Sequence, residues 1–136
     1  MTNELGYEVT LALSYEAAIE RVIAALKTEG FGVLTRIDVR ATLKEKLGVD
    51  FRPYVILGAC NPPLAHRALT LAPELGLMLP CNVTVEAAGE ASCLVRLANP
   101  GAMVLAANRP EDAGLQELAA QATAKMERVV TTLQQA

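Results

Sequence analysis

The chain has 136 residues, of which 52% are hydrophobic, and this is enough for one domain whose core needs no disulfide or metal. Its net charge of −3 and its scattered basic residues argue against nucleic acid as a partner, because such binding depends on neutralising phosphates. No apolar run approaches the ~18 residues of a membrane-spanning helix, and MTNELGYEV lacks the basic and apolar regions of a signal peptide.

The N-terminal residues predict a strand followed by a helix. Apolar and polar residues alternate over YEVTLAL (7–13), which is typical of a strand that is buried on one face. Ser14 is placed to cap a helix whose apolar residues recur at helical spacing, and Gly30 is placed to end that helix. This strand and this helix are therefore each expected to turn one apolar face towards the core.

A second strand and a short helix are predicted next. In FGVLTRIDV (31–39), Val33 and Ile37 stand at the even spacing of residues that share one face of a strand. RATLKEKL (40–47) has the pattern of a short amphipathic helix, and we expect it to bury its two leucines.

The middle of the chain predicts three more strands. Residues 52–60 are apolar on both faces, which favours an interior strand, and Asn61 is a suitable cap for a helix over 62–71. Two further strands are predicted over 77–87 and 92–98, joined by the turn AAGE.

The C-terminal region predicts helices. AMVLA (102–106) favours a short helix, and the spacing of apolar residues over 110–134 predicts a long amphipathic one with Glu111 and Asp112 near its start. The order β-α-β-(α)-β-(α)-β-β-α predicts an α+β fold. We expect a single domain over residues 1–136, with an antiparallel sheet, two main helices on one face and short inserted helices.

Two Cys–Asn pairs, Cys60–Asn61 and Cys81–Asn82, form the candidate site together with His66. Cys60 ends a strand directly before a helix start, where free N–H groups and the helix dipole favour a thiolate. If the two strands are neighbours, the two sulfurs are expected within about 7 Å, the reach of a disulfide or a shared metal. The alternative is that both cysteines are small buried hydrophobes.

The other motifs of known sites are missing from the sequence. His66 is the only histidine and is predicted on the helix side opposite the buried residues, so a zinc set is incomplete. CxxC, GxSxG, GxGxxG and phosphate-loop motifs do not occur. No metal site is therefore predicted, and no cofactor is named.

Two segments resemble a known family. IDVRATLKEKLGVDFRPYVILGACNPPLAHRAL (37–69) and ELGLMLPCNVTV (74–85) are similar to the family called domain of unknown function 302, and the resemblance covers nearly the whole chain. It implies a fold of the TATA-binding-protein-like type, β-α-β(4)-α, and a homodimer. It implies no function.

Two functions from different classes remain. The first is a non-catalytic dimeric module that binds or senses a small molecule, without nucleic acid or membrane. The second is thiol chemistry at Cys60 and Cys81, namely redox, sulfur transfer, or handling of a soft metal or haem. The odd number of cysteines, three, favours reduced thiols, so we expect a cytoplasmic protein.

Overall fold

The protein is built on one five-stranded antiparallel sheet, seen in a computed structural model that describes residues 5–135. The strands are β1 (Gly6–Leu11), β2 (Gly32–Asp38), β3 (Tyr54–Cys60), β4 (Cys81–Gly89) and β5 (Ser92–Ala98). Their order across the sheet is β1-β5-β4-β3-β2, and every neighbouring pair is antiparallel. The predicted α+β fold is confirmed, and the strand predicted as interior, β3, lies between β4 and β2.

Residues 5–135 also form five α-helices and one 3₁₀ helix, with the last two α-helices after the last strand and the others between strands. They are α1 (Tyr15–Thr28), α2 (Val39–Leu47), α3 (Pro62–Leu71), the 3₁₀ helix (Pro73–Met78), α4 (Pro100–Ala106) and α5 (Ala113–Gln134). Ser14 and Asp112 cap α1 and α5 through side-chain hydrogen bonds to backbone N–H groups, as their positions before apolar repeats suggest. Within the described residues, no helix combines the length and the apolarity needed to cross a membrane.

The main apolar cluster lies between one face of the sheet and helices α1 and α5. Alternate residues of β1, β3, β4 and β5 point into it, as period-two patterning requires. The helices contribute residues at helical spacing. Its most deeply buried side chains include Val22, Leu26, Leu57, Val83, Val95, Met126, Val129 and Leu133.

A second, smaller apolar cluster lies beside the first. It is formed by α3, the 3₁₀ helix, α4 and the first turns of α5, and its buried members are Ala68, Ala72, Leu75, Val104, Leu115 and Leu118. α5 belongs to both clusters, because its N-terminal turns pack in the second and its C-terminal turns in the first.

Two local predictions in the β2–α2 region were wrong. The pairing of β2 shifts between Val33 and Thr35, so Val33 lies opposite Ala59 on the core face while Ile37 lies opposite Ile56 on the open face. α2 buries none of its side chains, and Leu47 is 69% exposed. The cause is the same in both cases: β2 is an edge strand, and α2 makes its main contacts with β2 and β3.

The strand predicted from residue 77 was also wrong at its start. Residues 73–78 form the 3₁₀ helix, a cis peptide bond joins Leu79 to Pro80, and β4 begins at Cys81. Pro80 lies just before β4, which is an interior strand of the sheet. A proline at that point removes no ladder hydrogen bond.

Gly58 is required by close packing over the open face of the sheet. A Cβ atom at this position would overlap the Thr35 hydroxyl and would lie 2.8 Å from Cγ of Pro80. We predict that Gly58→Ala lowers the free energy of unfolding by about 1–3 kcal/mol, as overpacking does. Gly32→Ala is the matched control on the neighbouring strand, because its Cβ would meet nothing within 4 Å. Urea denaturation giving equal stability for both variants would contradict this.

Candidate functional site

The two apolar clusters do not close against each other and leave a cavity of about 360 Å³ between them. Its sheet side includes Phe31, Ala59, Cys60, Asn61, Pro80 and Cys81. Its helical side includes Leu64, Ala65, Ala68, Leu75, Val104 and Leu118. The volume falls within the range of ligand pockets in proteins, and no charged side chain of residues 5–135 lines it.

Cys60 and Cys81 line this same cavity from neighbouring strands. Cys81 is the first residue of β4 and pairs with Ala59 of β3, so it lies next to the position where Cys60 ends β3. Cys60 is half-buried and Cys81 is buried, and neither forms a disulfide. The two thiols therefore share a cavity, and the expected sulfur–sulfur distance stays a prediction.

The chemical state of Cys81 is set by its surroundings. Burial, with a smaller contribution from the nearby Cys60, raises the pKa of the Cys81 thiol to about 11. At neutral pH this group is a neutral thiol, which is a weak nucleophile and a weak hydrogen-bond donor. The third cysteine, Cys93, is buried in the main cluster and donates to the backbone oxygen of Leu13 at 3.4 Å.

Asn61 occupies the N-cap position of α3 but makes no capping hydrogen bond with its side chain. Its Nδ2 instead donates to the backbone oxygen of Glu29 at 3.0 Å, at the end of α1. Gly30 makes room for this contact with a backbone φ of +83°, because a Cβ there would lie 3.1 Å from the Asn61 Nδ2. The residue predicted as a cap thus ties two helices together and lines the cavity.

His66 and Asn82 lie away from the cavity. His66 is exposed on α3, and Asn82 is exposed on β4, one residue from Cys81 and so on the opposite face of the sheet. Among residues 5–135, no three His, Cys, Asp or Glu side chains assemble into a group suited to a metal ion. Of the five predicted site residues, Cys60, Asn61 and Cys81 are the ones that come together.

The helical wall of the cavity was not predicted as part of a site. Most of its residues are alanine, leucine and valine, which is the same composition that ordinary core packing produces. In the structure, Leu34 and Leu69 line the cavity and are 69% and 42% exposed. Two large apolar side chains therefore remain partly uncovered at its edge. Together they form an apolar mouth.

The comparisons with known proteins identify the family. The model for the domain of unknown function DUF302 matches residues 7–133. The chain belongs to the DUF302 family. The resemblance seen around the two Cys–Asn segments is thereby confirmed, and the match covers both apolar clusters and the cavity.

A solved member of the DUF302 family shares the fold. The crystal structure of an uncharacterized conserved DUF302 protein from Bacillus stearothermophilus is 35% identical, with a TM-score of 0.79 over 95% of each chain. No curated protein matches the sequence. Membership of the DUF302 family therefore comes with a shared architecture and no assigned activity.

The raised pKa of Cys81 predicts how stability depends on pH. The unfolded thiol ionises near its ordinary pKa of 9.0 and the folded one at about 11. The stability that the protonated Cys81 thiol contributes is therefore present in full below pH 9 and is lost as pH rises towards 11. We expect a loss of about 1.4 kcal/mol per pH unit across that window, relative to a variant that lacks the thiol.

Urea denaturation of the wild type and Cys81→Ala at pH 8, 9 and 10 measures this difference. Cys93, whose pKa burial also raises, is present in both proteins and cancels from the comparison. Parallel pH profiles for the two proteins would show that Cys81 ionises in the folded state as easily as in the unfolded one.

Proposed function

We propose that this DUF302 protein is a non-catalytic module that binds a small molecule in the cavity between its two apolar clusters. The observation that carries the proposal is the cavity itself, which has a volume of about 360 Å³ and walls that are apolar except for two cysteines and Asn61. Binding there would bridge the sheet and the helical cluster, which makes the same site suitable for sensing a ligand.

The physical reason for binding is poor hydration. The cavity has the volume of about twelve water molecules in the liquid, at ~30 Å³ each. A buried water needs two to four hydrogen-bonding partners, and Asn61 with two thiols supplies too few for such a number. Replacing weakly held water by an apolar molecule is therefore favourable.

Thiol chemistry is the weaker candidate. A reactive cysteine needs a lowered pKa, whereas the pKa of Cys81 is raised to about 11. No histidine or charged side chain of the described residues lines the cavity to act as a base beside Cys60 or Cys81. Soft-metal or haem handling would need further ligands, and His66 lies outside the cavity.

Filling the cavity tests the binding proposal. We expect wild-type protein to bind naphthalene with a Kd on the order of 100 μM, as a well-fitting ligand of about ten heavy atoms does. Ala65→Phe, on the helical wall, should weaken this binding at least roughly tenfold because the new ring occupies the same space. Equilibrium dialysis with naphthalene fluorescence measures both.

Ala24→Phe provides the matched control, since Ala24 is an exposed position of α1 outside the cavity. Circular dichroism checks that each variant is folded, and Ala122→Phe on the α5 wall is the second cavity-filling variant. The proposal fails if the wild type does not bind naphthalene, or if the cavity-filling variants bind it as well as the control does.

We further propose a cytoplasmic homodimer that joins through the half of the open sheet face next to α2. Ile37 is 49% exposed on this half, and α2 beside it has no buried side chain. The other half is polar and already paired: Glu86 accepts from Nε of Arg52 at 2.7 Å and from Nη1 of Arg96 at 2.6 Å. An apolar half-face beside an unburied helix is suited to a second copy of the chain.

Light scattering tests the dimer. We expect a particle of twice 14.4 kDa at micromolar concentration. Ile37→Asp should shift the mass towards 14.4 kDa, since it places a charge in the proposed interface, whereas Leu105→Asp on the exposed side of α4 should not. A wild-type particle of one chain's mass would reject the dimer.

A further inference from the structure

Asn61 is the only amide side chain in the cavity wall of the described residues, and it is deeply buried. Its residue is 8% exposed, and the rest of the wall consists of apolar side chains and the two thiols. A buried polar group of this kind costs free energy unless it is hydrogen-bonded. The hydrogen bonding of Asn61 therefore constrains which polar groups a ligand in the cavity can carry.

The amide of Asn61 is held in one orientation. The backbone oxygen of Glu29 can only accept, so it selects the NH₂ group, which approaches it at 3.0 Å. The Glu29 carboxylate is in turn held by Nε of Arg128 at 2.8 Å, which steadies the end of α1. The opposite orientation would face two carbonyl oxygens against each other.

The carbonyl oxygen of Asn61 is left without a donor. Among residues 5–135 no N–H or O–H group reaches it, and it does not cap α3 although the residue stands at the cap position. Because Asn61 lines the cavity, its oxygen offers an unused hydrogen-bond acceptor at an otherwise largely apolar wall, where a new hydrogen bond is stronger than in water.

We propose that the cavity takes an uncharged, mainly hydrocarbon molecule about the size of two fused rings that carries one hydroxyl or amide N–H donor for the Asn61 carbonyl oxygen. This inference rests on the proposed function, because it names the ligand class of the same cavity. The apolar walls hold the hydrocarbon body, and Asn61 selects the polar end.

Charged molecules are excluded by the same wall. The ion pairs on the sheet, Glu86 with Arg52 and Arg96, lie on the open face, on the other side from the main cluster. A carboxylate or ammonium group in the cavity would lose its hydration and find no counter-charge. Fatty acids and amino acids are therefore outside the proposed ligand class.

Naphthalene and three of its derivatives, all of similar size, separate the contributions of the apolar body, the hydrogen-bond donor and the charge on the wild-type protein. They are naphthalene, 1-naphthol with a donor, 1-methoxynaphthalene with an acceptor only, and 1-naphthoate with a charge. We expect 1-naphthol to bind roughly 3–10-fold more tightly than naphthalene, as one net hydrogen bond allows. The methoxy compound should show no gain over naphthalene, and 1-naphthoate should bind at least about tenfold more weakly.

Asn61→Leu tests the residue itself. It keeps the size of the side chain and removes the acceptor, so it should abolish the preference for 1-naphthol and leave naphthalene binding within about twofold. If the variant does not fold, because the Glu29 carbonyl has lost its donor, the wild-type series alone decides the inference.

The failures of the two proposals are distinguishable. Absence of naphthalene binding, or binding that Ala65→Phe does not weaken, overturns the proposed function. Naphthalene binding that Ala65→Phe blocks, with 1-naphthol no tighter than 1-methoxynaphthalene or with 1-naphthoate as tight as naphthalene, overturns the ligand class and leaves the cavity as the binding site.

Discussion

Packing of α5 against two separate apolar clusters is the interaction on which the rest of the structure depends. The C-terminal turns of α5 place Met126, Val129 and Leu133 against the sheet, and its N-terminal turns place Leu115 and Leu118 against α3 and α4. A 22-residue helix is about 33 Å long, so it reaches across both. Because one rigid helix sets the spacing of the clusters, they meet without closing, and the cavity is the space that remains.

Polar contacts at Glu29 also connect the helices beside the cavity. The last carbonyls of a helix have no partner within the helix, and here the Asn61 amide supplies one from the start of α3. Arg128 of α5 holds the Glu29 side chain at the same point. Three helices are thereby connected beside the cavity, so a ligand that contacts Asn61 also contacts the network that positions α1 and α5.

The surroundings of Cys81 favour the neutral thiol over the thiolate. Cys81 begins a strand rather than a helix, and burial raises its pKa because the nearby groups are apolar or another cysteine. Under the proposed function, the walls would select a ligand by its shape and by excluding charge, and one amide oxygen would orient it.

The α+β fold and the three cavity-lining site residues could be anticipated from local patterns, since alternation in β1, caps such as Ser14 and the repeat in α5 are properties of neighbouring residues. The shift in β2 pairing and the unburied α2 could not, because they depend on which strand lies at the edge of the sheet.

At the site, Asn61 likewise has one property that the local sequence indicates and another that depends on the fold. Its position before Pro62 marks a helix start in the sequence, but its side chain turns to Glu29, 32 residues away, because the fold brings the end of α1 there. By itself, the sequence determined the elements, the acidic charge balance and the two Cys–Asn pairs. Only the tertiary structure decided that Cys60, Asn61 and Cys81 share a cavity with helical walls, because a cavity arises from the distance between packed elements and leaves no periodicity in the chain.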